Sequence, residues 1–164
     1  MVSHINDYNF TIIENQYNKF YIGSTPNEHN LNTFIQKVKE HKIKHIVRLC
    51  DPSYDDNIFN DVEIHDWQFK DGDIPTSDII EKWKKLINQN NGPILVHCIA
   101  GLGRAPTLVA IGLIELKINP YESVSMIRKI RPCAINTKQL QFILSYKPVK
   151  TSLFSNFFKF KFKL

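Results

Sequence analysis

The segment Ile94-Leu95-Val96-His97-Cys98-Ile99-Ala100-Gly101-Leu102-Gly103-Arg104-Ala105-Pro106 carries the most specific chemistry in the chain. An apolar run ends in His97-Cys98, five residues with two glycines follow, and Arg104 opens a helical pattern. Gly101 and Gly103 let the backbone curl, so the amides of Ile99, Ala100, Gly101, Leu102 and Gly103 can turn inward as an anion-binding nest. The N-terminus of the following helix adds partial positive charge. Arg104, on its first turn, can fork onto two phosphate oxygens. The groups that attract phosphate also favour the thiolate form of a cysteine at the base of the loop. A Cys98 thiolate beneath a phosphoryl group would be an in-line nucleophile. His97 is expected to play a positional part, hydrogen-bonding to backbone and holding the loop.

Such a loop needs a strand before it and a helix after it. Ile94 to Val96 is a short, fully apolar run after the turn Gly92-Pro93, the pattern of a central strand covered on both faces. A helix is expected from about Ala105 to Leu116, and two more over Pro120 to about Ile130 and Asn136 to Tyr146. Upstream, Tyr8 to Ile13 and Lys19 to Ile22 read as strands joined at Glu14-Asn15-Gln16. Leu31, Phe34, Ile35 and Val38 mark a helix to Glu40 with Asn30 as its cap. His45 to Leu49 and Val62 to Ile64 read as further strands. Asp66 to Pro75 reads as a loop, and Thr76 or Ser77 opens a helix through Ile87. Strands interleaved with helices predict an α/β fold: a central, mainly parallel sheet flanked by helices, with the reactive loop between a strand and a helix.

With 164 residues, 43% hydrophobic and 23% charged, the chain fits one globular domain over residues 1–150 followed by a basic, aromatic tail over 151–164. This composition excludes a disordered, collagenous or coiled-coil architecture. No apolar run approaches the roughly 20 residues of a membrane span. The opening MVSHINDYNF lacks the pattern of a secretory signal, so a cytoplasmic protein is expected. The net charge of +5 favours anionic partners. Cys50, Cys98 and Cys133 form no CxxC pair, and no Cys and His cluster at zinc-ligand spacing along the chain. Neither metal nor cofactor is expected.

The string HCxxGxxR resembles the signature of cysteine-dependent protein tyrosine phosphatases. The longer VHCIAGLGRAP is similar to the phosphatase of regenerating liver family, which carries Ala after the Arg where most tyrosine phosphatases have Ser or Thr; here it is Ala105. IVRLCDPSYDD, DWQFKDGDIP and RKIRPCAINTKQL extend the resemblance over about residues 8 to 148. It implies a phosphotyrosine-protein phosphatase with Cys98 as nucleophile, Arg104 and the loop amides as phosphate ligands, and Asp71 as general acid. Asp66 and Asp73 are alternative acids in the same loop. Gln68 and Lys70 depart from the family pattern, and a lysine beside Asp71 favours its ionised form. Ala105 lacks the hydroxyl that assists breakdown of the cysteinyl-phosphate in relatives, so a slow second step is expected. The resemblance also implies a reversible disulfide between Cys98 and Cys50, which ends a predicted strand at the reactive edge of the sheet. It assigns nothing to Cys133.

An alternative implied by the same resemblance is a weakly active binding module for a cyclin M type magnesium transporter. No nucleic-acid partner is expected, and the loop between Cys98 and Arg104 lacks the basic residue typical of inositide phosphatases. Lys159, Lys161 and Lys163 alternate with phenylalanines and could touch acidic membrane surfaces. The chain ends Phe-Lys-Phe-Lys-Leu, without the prenylation motif of the animal family members.

Overall fold

The computed structural model describes residues 9–14, 18–89 and 92–148. Its sheet comprises β1 (Thr11–Glu14), β2 (Lys19–Ser24), β3 (His45–Arg48), β4 (Glu63–Asp66) and β5 (Ile94–Cys98) in the order β1-β2-β5-β3-β4. Only β1 runs antiparallel to its neighbour; the β2–β5, β5–β3 and β3–β4 pairs are parallel. The mainly parallel α/β sheet expected from the sequence is therefore present. β5 lies at its centre with all five residues buried, as its unbroken apolar run requires.

Alternate strand residues enter two cores. On one face Tyr21, Ile46 and Leu95 pack against α1 (Leu31–Glu40) through Phe34 and Val38. On the other, Phe20, Ile22, Val47, Val96 and Cys98 meet α2 (Ser77–Gln89), α3 (Arg104–Glu115), α4 (Pro120–Ile130) and α5 (Thr137–Ser145). α3 is buried from Arg104 through Ile114, which explains why its apolar residues form no single stripe. The starts of α2, α4 and α5 carry side-chain caps. Thr76 Oγ1 accepts from Ile79 N, and Asn119 Oδ1 accepts from Tyr121 N ahead of Pro120. Asn136 and Gln139 form a reciprocal capping box at α5.

Two details differ from the sequence reading. Asn30 precedes α1 but makes no side-chain cap; its Oδ1 accepts from Asn27 N in the preceding turn instead. β4 begins one residue later and ends two residues later than Val62 to Ile64, taking in His65 and Asp66. Their polarity hides a strand that lies at the sheet edge, where Asp66 meets Arg48. Tyr8, residues 15–17 of the first turn, and the tail lysines 159, 161 and 163 lie outside the described residues.

Two buried polar groups brace the reactive end of the sheet. Arg48 is buried, donates from Nη2 to Asp66 Oδ2 at 2.7 Å and pairs with Asp56 at 3.0 Å. This pairing holds the guanidinium charged and the Asp66 carboxyl below its usual range. His97, fully buried in β5, shares a 2.8 Å hydrogen bond between Nε2 and the Tyr54 hydroxyl. Burial, reinforced by Arg48, drives its imidazole down to about 3. The folded protein thus keeps His97 neutral while the unfolded chain protonates near 6.5. Stability from this residue is complete above about pH 6.5 and falls as the pH drops toward 3. Between pH 7 and pH 5 the loss should be about 2 kcal/mol. Denaturant melts at the two pH values should show it, and the slope should be shallower by that amount in His97→Gln. An unchanged slope would show that His97 does not control it.

Candidate active site

Cys98 ends β5 and Arg104 begins α3, so the intervening loop sits at the carboxyl edge of a parallel sheet, where open α/β folds hold ligands. Its carbonyls are turned outward. Ile99 O accepts from Thr25 N, Gly101 O from Arg131 Nη1, Leu102 O from Ile135 N, and Gly103 O from Thr107 N. Since a peptide plane carries N–H and C=O on opposite sides, outward carbonyls direct the amides to the interior of the loop. Gly101 has a φ of +68°, and a Cβ there would lie 2.6 Å from Gly23 O. Only glycine fits that position.

Cys98 is 2% exposed, yet it lines a cleft of about 250 Å³. Ile99, Ala100, Leu102, Gly103, Asp71, Gly72, Cys133, Asn136 and Gln139 complete the lining. Arg104 is also buried. Its Nη1 donates to Leu49 O at 2.8 Å and to Phe69 O at 3.1 Å, fastening it to the end of β3 and to the loop that carries Asp71. Its Nε and Nη2 have no hydrogen-bond partner. Asp71 Oδ1 stands 3.1 Å from Nε, close enough for an ion pair but without hydrogen-bond alignment. A buried guanidinium whose Nε and Nη2 make no hydrogen bond is costly unless it has an anion to receive them.

The loop places its three carboxylates differently. Asp66 belongs to Arg48, and Asp73 pairs with Lys138 at 2.7 Å while accepting from Ile74 N. Lys138 and that amide hold the Asp73 carboxyl below its usual range, as Arg48 does for Asp66. Both are thereby poor proton donors. Asp71 is exposed at the mouth of the cleft and pairs with Arg104. Of the three, Asp71 alone lines the cleft with Cys98.

Cys50 lies two residues beyond the end of β3. β3 and β5 pair in the register Arg48↔His97, which brings Cys50 beside the end of the Cys98 strand. Both thiols are free in the structure. Burial pushes the Cys50 thiol up, a hydrogen bond with Thr25 opposes this, and the neighbouring Cys98 pushes it further up. Ala105 is fully buried behind the loop. The side chain of His97 bonds to Tyr54 rather than to backbone, which corrects the expected contact; its backbone carbonyl accepts from Leu49 N.

Several site residues escaped the sequence reading. Arg131 reaches Thr11, Gly101 O and Ile22 O, joining the loop to β1 and β2. Ile135 adopts a φ of +70°, a strained conformation for a β-branched residue, and donates its amide to Leu102 O at 2.7 Å. Asn136 Nδ2 donates to Gly72 O and Gln139 Nε2 to Asp73 O, so the capping box of α5 also holds the acid loop. Asn136 reads as a helix start, as the cap bears out; nothing in the sequence signals the long-range contacts. Cys133 is exposed at the cleft wall.

The family model described as protein-tyrosine phosphatase matches residues 53–149. A probable protein tyrosine phosphatase type IVA B of Dictyostelium discoideum is 41% identical over 147 residues, covering 85% of this chain and 90% of its own. The PRL-1 phosphatase of Drosophila melanogaster is 39% identical, covering 84% and 82%. A protein tyrosine phosphatase structure from Leishmania major superposes with a TM-score of 0.77 at 33% identity, over 85% of this chain and 99% of that one. A family match across more than half the chain, joined by relatives of this identity along most of their length, makes this chain a member of the protein tyrosine phosphatases, in their type IVA or phosphatase of regenerating liver branch.

Proposed function

We propose that this tyrosine phosphatase acts on phosphotyrosine in proteins through a covalent cysteinyl-phosphate. Cys98 attacks phosphorus in line with the aryl oxygen. The loop amides and the Nε and Nη2 groups of Arg104 hold the non-bridging oxygens as charge moves onto them. Asp71 protonates the departing phenolate. Water then cleaves the sulfur–phosphorus bond and releases inorganic phosphate. The observation that carries this reading is the buried Arg104, tethered by Nη1 while Nε and Nη2 make no hydrogen bond, beside a loop in which the carbonyls of Ile99, Gly101, Leu102 and Gly103 serve other partners. His97 acts by position, through Tyr54 and the end of β5.

Hydrolysis of an aryl phosphate should vanish in Cys98→Ser. Arg104→Lys should lose most activity, because a point charge cannot replace the planar fork. Asp71→Asn should cost on the order of a hundredfold or more on phosphotyrosine and less on p-nitrophenyl phosphate, whose leaving group needs little proton assistance. Equal losses on the two substrates would remove Asp71 from the acid role.

Ala105 gives the reaction a slow second half, since no hydroxyl is available there to assist water. Rapid-quench kinetics should show a burst of phenol near one equivalent, with phosphate trapped on Cys98. Ala105→Ser should shrink the burst and raise steady-state turnover. A wild-type time course without a burst would contradict this.

The register of β3 on β5 supports a redox role for Cys50. A peroxide oxidises the Cys98 thiolate to the sulfenic acid, and the Cys50 sulfur displaces its hydroxyl as water to form the disulfide. Peptide mapping after mild peroxide should recover a Cys50–Cys98 cross-link and activity should return with a thiol reductant. In Cys50→Ser the loss should become irreversible; reversible recovery in that variant would exclude the role.

The reading takes residues 1–150 as the phosphatase domain, in keeping with a family match ending at residue 149, and 151–164 as a tail. Among the described residues no helix is long and apolar enough to cross a membrane. A cytoplasmic site of action with weak contact to acidic membranes rests on the alternating Lys159, Lys161 and Lys163. The relatives are named for phosphatase activity, and no observation favours a transporter-binding module in its place.

A further inference from the structure

At the opposite end of the sheet from Cys98, strand pairing assembles three side chains that lie far apart in sequence. His45 opens β3 and Glu63 opens β4, and the two are register partners. His65 lies two residues along β4 and shares its face with Glu63. Residue 45 pairs with Ile94, four residues before Cys98, so the cluster sits about 13 Å along the sheet from the catalytic end.

The two carboxylate contacts in the cluster are long for hydrogen bonds. His45 Nδ1 and His65 Nε2 are 3.3 Å apart, Glu63 Oε2 is 3.5 Å from His45 Nδ1, and Glu63 Oε1 is 3.7 Å from His65 Nε2. The imidazole pair lies at hydrogen-bond distance, and the two carboxylate contacts exceed the common 2.7–3.2 Å range for nitrogen–oxygen bonds. The three separations match the edges of a coordination tetrahedron: ligands about 2.05 Å from a zinc ion at tetrahedral angles are about 3.3 Å apart. The donor set of two imidazole nitrogens and one carboxylate suits zinc, and leaves a fourth position for water. Glu63 is largely exposed and opens the cluster to solvent, while His45 is buried and held by the strand. The far nitrogen of His45, Nε2, is buried without a partner, so nothing fixes its tautomer against a lone pair on Nδ1.

We propose that His45, Glu63 and His65 bind one Zn²⁺ ion, which staples the edge strand β4 to β3. β4 is paired on one side only, and it runs directly into the loop that carries Asp71. The site supports structure and takes no part in the thiol chemistry. Without an outer-shell partner on His45, its affinity falls below that of structural sites with complete outer shells.

The test separates this site from the cysteines. Full-length protein carrying Cys50→Ser, Cys98→Ser and Cys133→Ser is titrated with Zn²⁺ by calorimetry, and its thermal unfolding is followed. One equivalent should bind, and saturating Zn²⁺ should raise Tm by roughly 5–10 °C. Glu63→Gln and His65→Val, each in that background, should weaken binding at least about tenfold and abolish the shift. In the unmodified chain, Co²⁺ should give four-coordinate d–d bands without a thiolate charge-transfer band, which keeps the test decisive should the serine variant fail to fold. No Zn²⁺ uptake, uptake indifferent to both variants, or a thiolate–cobalt band as the sole Co²⁺ signal would overturn the proposal.

Discussion

Arg104 is a cation withdrawn from water whose hydrogen-bonding capacity is only partly met within the protein. Such a group is tolerated when the surrounding structure fixes it and an anion can complete it. One nitrogen spans Leu49 O and Phe69 O, so the same guanidinium ties together the end of β3, the acid loop and the start of α3. The surrounding architecture follows from keeping that charge in place. The loop presents amides by surrendering its carbonyls to Thr25, Arg131, Ile135 and Thr107. β5 is clamped between β2 and β3 in the centre of the sheet.

The supporting contacts also divide labour among charged residues of one type. Asp66 and Asp73 are locked to Arg48 and Lys138 and serve structure. Asp71 stays at the cleft mouth with Arg104 as its nearest cation. Proximity in sequence did not separate these three; the identity of each partner did. His97 shows the same division. It sits beside the reactive cysteine in sequence, but burial holds it neutral and its hydrogen bond goes to Tyr54. That makes it a brace and unsuited to proton transfer near neutral pH.

The strain at Ile135 belongs to the same economy of position. A β-branched residue with positive φ costs roughly 1–3 kcal/mol. It delivers an amide to Leu102 O, while Arg128 accepts the strained turn by donating to Ala134 O and Ile135 O. The turn then leads directly into the capping box that holds Gly72 and Asp73. A single segment thus positions the phosphate loop on one side and the acid loop on the other.

Local rules account for what was legible in the chain itself. The unbroken apolar run of β5, the glycines before Arg104, and the proline or asparagine starts of α4 and α5 each express a constraint satisfied within a few residues, and all appear where expected. The placement of Cys98 and Arg104 at the two ends of one loop was legible for the same reason. β4 was harder, because His65 and Asp66 are polar and their strand character depends on the neighbour they pair with. Arg131 acting across to Thr11, Gln139 reaching Asp73, and the gathering of His45 with Glu63 and His65 had no sequence signal at all. Those arrangements are set by which strands lie side by side and which helix ends face which loops. That information is held by the packed sheet, because side chains distant along the chain become neighbours only when the backbone between them has folded.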